Sequence, residues 1–233
     1  MKVFAISDLH LSGSVEKPMD IFGGAWENYL DNIRADWEQK VGPEDVVLLP
    51  GDLSWAMNLE QVRADLDFLA GLKGKKVLVK GNHDYWWNSL AKVRAALPPE
   101  VFVIQNDAMR LGDLLLCGTR GWTCPEEGKP LAEEDLKIYR REIERLRLSL
   151  SAMQKLRKEG DFVVVMMHYP PFNARRTPNE LTALIAEAGA DAVVYGHLHG
   201  KDCRVDLRVD LNGIPYFLTS CDLTGQKLIE IRP

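Results

Sequence analysis

The chain reads as an α/β fold of two mixed sheets packed face to face with helices outside, and three patterns predict it. Short Val- and Ile-rich runs at residues 3–6, 46–49, 77–79, 162–167 and 192–195 are too brief for helices and suit buried strands. Segments with helical spacing lie between them, as in alternating βα architecture. Toward the C-terminus the apolar residues alternate instead, which adds antiparallel strands to the parallel set.

Taken in order, the first run leads to a helical face of Trp26, Tyr29, Leu30, Ile33 and Trp37. The second leads to Leu59, Val62, Leu66 and Leu69. Residues 101–117 hold two β-like stretches around Gly112-Asp113, the pattern of a hairpin. The segment 131–158 is the longest helix candidate, with a stripe of Leu136, Tyr139, Ile143, Leu146, Leu150 and Met153 in a charged background. Such a stripe lays a helix on the body of the protein, caps a site, or makes a homodimer contact. Thr177-Pro178 has the form of an N-cap and first-turn proline opening a helix through Leu181, Leu184 and Ile185. Val205, Leu207, Val209 and Leu211 then alternate up to Asn212-Gly213, a type I′ hairpin signature, followed by strands at 214–218 and 228–231. Asp202, Asp206 and Asp210 fall on the solvent side of that alternation. Without repeats, low-complexity tracts or linkers, residues 1–233 read as one domain.

Composition narrows the function. Hydrophobic residues make up 46% and charged residues 27%, an ordinary balance for a water-soluble globular chain. The net charge of −5 offers no extended basic track, which disfavours long nucleic acid and anionic membrane surfaces as partners. Cys117, Cys124, Cys203 and Cys221 form no CxxC pair, and no basic leader or long apolar stretch is visible. A cytoplasmic location with reduced thiols is the expectation.

The chemistry lies in the histidines. All five follow apolar runs beside Asp, Asn or Gly: Asp8-Leu9-His10, Gly81-Asn82-His83-Asp84, His168-Tyr169-Pro170-Pro171 and Gly196-His197-Leu198-His199. Another run ends in Gly51-Asp52. The C-terminal ends of neighbouring parallel strands share one edge, so these residues can converge there. The one-residue gaps in Asp8-x-His10 and His197-x-His199 would turn both members of each pair to one site on an extended backbone. Carboxylates that can bridge, together with neutral imidazoles and an amide, suit two divalent cations with residual positive charge for a phosphate.

In order, Asp8-x-His10, Gly51-Asp52, Gly81-Asn82-His83-Asp84, His168 and Gly196-His197-x-His199 resemble the motif set of the calcineurin-like metallophosphoesterases, spanning residues 8 to 199. The resemblance implies a four-layer sandwich of two mixed β-sheets flanked by helices. It implies one metal held by Asp8, His10, Asp52 and His199, and a second by Asp52, Asn82, His168 and His197, with Asp52 bridging. His83 would serve the leaving oxygen, and Asp84 would orient the His83 imidazole. The implied reaction is hydrolysis of a phosphomonoester or phosphodiester by in-line attack of a metal-bridging hydroxide. Mixed N/O ligation fits Mn, Fe, Zn or Ni. A small or medium phosphorylated substrate is expected; phosphoprotein phosphatase activity and a non-catalytic metal-binding scaffold are the alternatives. Trp55 and Tyr85 are candidates to stack on substrate, whereas Trp86-Trp87 also suits the core. Arg175 and Arg176, and more weakly Arg120, are candidates to reach a phosphate.

Overall fold

The computed structural model describes residues 1–17 and 19–233. The first sheet runs β11-β1-β2-β3-β4, from β1 (Val3–Ala5), β2 (Val46–Pro50), β3 (Lys75–Val79), β4 (Val101–Ile104) and β11 (Ile229–Arg232). The second runs β5-β6-β7-β8-β10-β9, from β5 (Ala108–Leu111), β6 (Leu114–Thr119), β7 (Phe162–Met167), β8 (Ala192–Tyr195), β9 (Arg208–Leu211) and β10 (Ile214–Leu218). Strands β1 to β4 are parallel, as are β6, β7, β8 and β10. The edge strands β11, β5 and β9 each pair antiparallel with their neighbour.

Burial on both faces explains why the strand runs are continuously apolar rather than alternating. Val3, Ala5, Val46, Leu48, Val77 and Val79 of the first sheet meet Leu114, Leu116, Val164, Met166, Ala192 and Val194 of the second. The opposite sides of the same strands, such as Phe4, Val47 and Leu78, pack on α1 (Tyr29–Lys40), α2 (Arg63–Ala70) and α3 (Leu90–Ala96). Leu115, Val163, Val165 and Val193 pack on α4 (Glu133–Leu156) and α5 (Glu180–Glu187). The result is helix, sheet, sheet, helix, the four layers expected.

Several local expectations shift. The 101–117 segment holds three strands: β4 joins the first sheet, and the Gly112-Asp113 turn joins β5 to β6 in the second. The run before the hairpin therefore crosses between sheets, which alternation within it does not reveal. The helix after Thr177-Pro178 begins two residues later, capped by Asn179 in a reciprocal capping box with Thr182. Asn212 and Gly213 both have positive φ, as a type I′ turn requires, but β9 starts only at Arg208. Val205 and Leu207 stay outside the ladder and partly exposed. Trp86 and Trp87 are core residues. Among the described residues no helix is long and apolar enough to cross a membrane.

The stripe of α4 lies on the second sheet: Tyr139, Ile143, Leu146, Leu150 and Met153 are buried there, with Leu136 packed beside them. Glu133, Glu134 and Asp135 in its first turn complement the helix dipole. Leu146 has no exposed surface, whereas Leu148 on the same helix is 63% exposed. Leu146→Ala should therefore cost about 3 kcal/mol by chemical denaturation, against under about 0.5 kcal/mol for Leu148→Ala. Equal losses would contradict this packing.

Candidate metal centre

Five strands end within about three residues of the motif residues. Strands β1, β2 and β3 deliver Asp8 and His10, Asp52, and Asn82 with His83; β7 and β8 deliver His168, and His197 with His199. The two sheets thus present all of them at one end of the sandwich. The pairs do not face the site from extended backbone, as the one-residue gaps suggested. Asp8, His10, Asp52 and His197 have φ of 56°, 47°, 52° and 71°, the left-handed region that non-glycine residues rarely occupy. Tight turns, rather than strand alternation, aim these side chains. Close approach adds to the constraint: a Cβ on Gly196 would lie 2.5 Å from Asp8 Oδ2, and one on Gly81 would collide with Asp52 Oδ1.

Ligand-type atoms of Asp8, His10 and His199 lie within 4.8 Å of one another, as do those of Asp8, Asp52 and His168. Asp8 belongs to both groups, while Asp52 Oδ2 sits between His10 Nε2 at 3.9 Å and His168 Nε2 at 3.5 Å. Asp8 is held by hydroxyl donation from Ser7 at 2.6 Å and Ser220 at 2.8 Å, and by the amide of His197. Asn82 Oδ1 faces His168 Nε2 at 2.7 Å and His197 Nδ1 at 2.9 Å.

This arrangement fits cations on three counts. Both ring nitrogens of His10 and Asp52 Oδ2 are buried with no hydrogen-bond partner, an expensive condition that an ion taking the one imidazole lone pair and a carboxylate lone pair would relieve. His168 donates Nδ1–H to the Pro50 carbonyl at 3.1 Å. Its Nε2 lone pair then confronts the Asn82 carbonyl oxygen, a repulsion that an ion between them removes. Burial, followed by neighbouring imidazoles, pushes His10 down to about 2, and burial dominates in bringing His168 to about 3 and His197 to about 4. The imidazoles are therefore neutral, the form that ligates metals. Burial and the neighbouring Asp84 and Asp8 carboxylates hold Asp52 well above the usual carboxylate range.

Beside this cluster stands an aromatic wall. Trp55 stacks on His10 with ring centroids 4.6 Å apart and tilts against His83 at the same separation. Tyr85, 57% exposed, approaches His83 edge-on at 6.2 Å. Lys17, which the sequence reading did not single out, places Nζ 3.1 Å from the Trp55 ring centroid. Burial, then the nearby charges of Lys17 and His199, hold His83 below its ordinary range.

Four expectations for side chains are corrected. Asp84 does not touch the His83 ring. It is buried, and it accepts from the amides of Asp52, Leu53, Ser54 and Gly81 and from Trp86 Nε1, at 2.7 to 3.2 Å. Those donors fill its oxygens, so it ties the loop after β2 to the loop after β3, and His83 Nδ1 has no partner. Arg175 points away to Glu127 at 2.9 Å. Arg176 pairs with Asp206 in the wall of a cavity next to His197 rather than in the cluster. Arg120 lies over Trp122 and offers its backbone carbonyl to the amides of His168 and Tyr169.

Asp84→Asn should cost about 2–4 kcal/mol of stability, because an amide cannot accept from so many converging donors. Loss of turnover with unchanged stability would instead favour the orienting role. The histidines also fix a pH response. In the unfolded chain they take up protons near pH 6.5, while the folded chain keeps His10, His168 and His197 neutral to about pH 4 or below. Their contribution is thus present above pH 6.5 and lost as pH falls, by about 1.4 kcal/mol per unit for each group. The thermal midpoint of the metal-free protein should drop between pH 6.5 and 4; a flat profile would contradict neutral buried imidazoles.

Comparison with known proteins agrees with this architecture. A stretch of 83 residues, 35% of the chain, is 36% identical to the Gene 66 protein of Mycobacterium phage D29 and spans 40% of that protein's length. Among solved structures, phosphopantetheinyl hydrolase from Mycobacterium tuberculosis superposes with a TM-score of 0.57 at 15% identity, covering 100% of this chain and 96% of that one. A protein of unknown function from Aquifex aeolicus gives 0.50 at 15% identity, with 98% and 95% covered. Both share the fold. The sequence profile of the calcineurin-like phosphoesterases matches residues 1–201, so the chain belongs to that family.

Proposed function

We propose that the chain is a metal-dependent phosphohydrolase acting on a small or medium phosphoester. The observation that carries this reading is the set of buried ligand atoms without a protein partner, on His10 and Asp52 Oδ2, with His168 Nε2 3.5 Å from Asp52 Oδ2, at one end of the sandwich. In this reading Asp8, His10, Asp52 and His199 hold one divalent cation, and Asp52, Asn82, His168 and His197 a second. Bound cations would supply Lewis acidity toward a phosphoryl oxygen and lower the pKa of a water.

The chain's own residues do the rest. Buried Asp8 and Asp52 set the charge of the site, and the Ser7 and Ser220 hydroxyls fix the Asp8 carboxylate. His83 stands 5.5 Å from His10, centroid to centroid, and is held by the Trp55 ring. It gives a proton or hydrogen bond to the departing oxygen. Lys17 adds positive charge on the same side, where an anionic ester enters. The net charge of −5 leaves no long basic track, which favours a compact substrate over a polynucleotide.

His83→Ala should reduce kcat about 10²–10⁴-fold on aryl phosphoesters while elemental analysis still finds both metals. Asp52→Asn should lower the occupancy of both sites together. Two tightly retained ions in the Asp52→Asn protein would overturn the bridging role. Stoichiometric metal without turnover of any mono- or diester in the wild type would overturn the hydrolase reading.

A further inference from the structure

A cavity of about 310 Å³ opens beside the candidate ligand cluster on the His197 side. Tyr169, whose ring lies 4.0 Å from that of His197, forms one wall; Phe172, Tyr195, Leu198, Val205 and Val209 complete most of the rest. The charged groups at its margin are already engaged. Arg176 pairs with Asp206, and Glu126 accepts from the Ala174 amide at 2.8 Å. The space therefore suits an uncharged group, and its volume is about twice that of an engineered apolar cavity of ~150 Å³ that takes benzene. Cavities of this size, apolar with a few polar groups, are the usual form of a small-molecule site.

The ring contacts divide the cluster into two ends. His83, Trp55, His10 and His199 form one, and His168, His197 and Tyr169 the other. The leaving oxygen belongs at the His83 end, so the cavity lies toward whatever remains on phosphorus. We infer that this cavity receives the uncharged, roughly two-ring-sized arm that a phosphodiester retains, which makes such a diester the preferred substrate. The inference rests on the hydrolase reading above. In the reaction the P–O bond to the leaving arm breaks and that oxygen departs with a proton. The oxygen of water stays on phosphorus, and the retained arm ends as a monoester.

Naphthyl p-nitrophenyl phosphate and methyl p-nitrophenyl phosphate share a leaving group and differ only in the retained arm. With the metal-loaded protein, kcat/KM for the naphthyl diester should exceed that for the methyl diester by at least about tenfold. Val209→Phe, which fills the cavity, and Val205→Asp, at a partly exposed position on its wall, should erase that difference and leave the methyl diester unchanged. Naphthyl methyl phosphate, titrated by its fluorescence, should bind about tenfold more weakly to the Val205→Asp protein. Equal rates for the two diesters, variants that slow both alike, or unchanged naphthyl binding would overturn the inference. Binding that follows the variants without turnover of either diester would sink the hydrolase reading and leave the cavity assignment standing. If Val209→Phe fails to fold, Val205→Asp carries the test alone.

Discussion

The Asp84 carboxylate is the contact on which the geometry of the site depends. One buried anion collects amides from residues 52, 53, 54 and 81 and the indole of Trp86, joining the turns that follow β2 and β3. Asp52 returns the connection by accepting from the His83 amide at 2.8 Å. Two reciprocal carboxylate–amide contacts therefore hold Asp52, Asn82 and His83 in one frame, and Trp86 anchors that frame in the core. A charge placed among so many N–H dipoles is stabilised far better than a bare buried carboxylate, although burial still raises its pKa.

Electrostatics then separates the folding problem from the binding problem. The hydroxyls of Ser7 and Ser220 and the amide of His197 satisfy Asp8 within the protein, whereas His10 and one oxygen of Asp52 are left without protein partners. Fixed, fully bonded groups thus surround a small number of unsatisfied ones. Such an arrangement keeps candidate metal ligands in place by bonds to the groups around them.

Much of this was legible in the chain. Runs buried on two faces announce themselves by lacking alternation, and motifs at their ends locate the site, because strand ends of a parallel sheet share an edge. Other features left no local trace. Ser220 reaches Asp8 across 212 residues, a pairing set by the parallel bridge between Ser7 and Ser220 beyond the ends of β1 and β10. The left-handed turns at Asp8, His10, Asp52 and His197 look like ordinary extended dipeptides in sequence. Asp84 next to His83 invited a pairwise reading, but backbone amides of two turns outcompete a single imidazole for its oxygens. Arg175 and Arg176 follow a metal motif in sequence, yet their partners Glu127 and Asp206 draw them outward. Lys17 belongs to a loop with no periodicity to read, so its place over Trp55 emerges only in three dimensions.

The antiparallel edge strands carry a further consequence. On β11, Glu230 and Arg232 line the border of the first sheet, and on β9, Arg208 and Asp210 line one border of the second. Their ion pairs, Lys2 with Glu230, Arg232 with Asp113 and Arg208 with Asp210, stay close to the strand they flank. A second chain that tried to extend either sheet there would have to strip water from those charges. These borders are therefore guarded against runaway strand addition, although the strands between them, such as β2 and β3, are rich in Val and Leu.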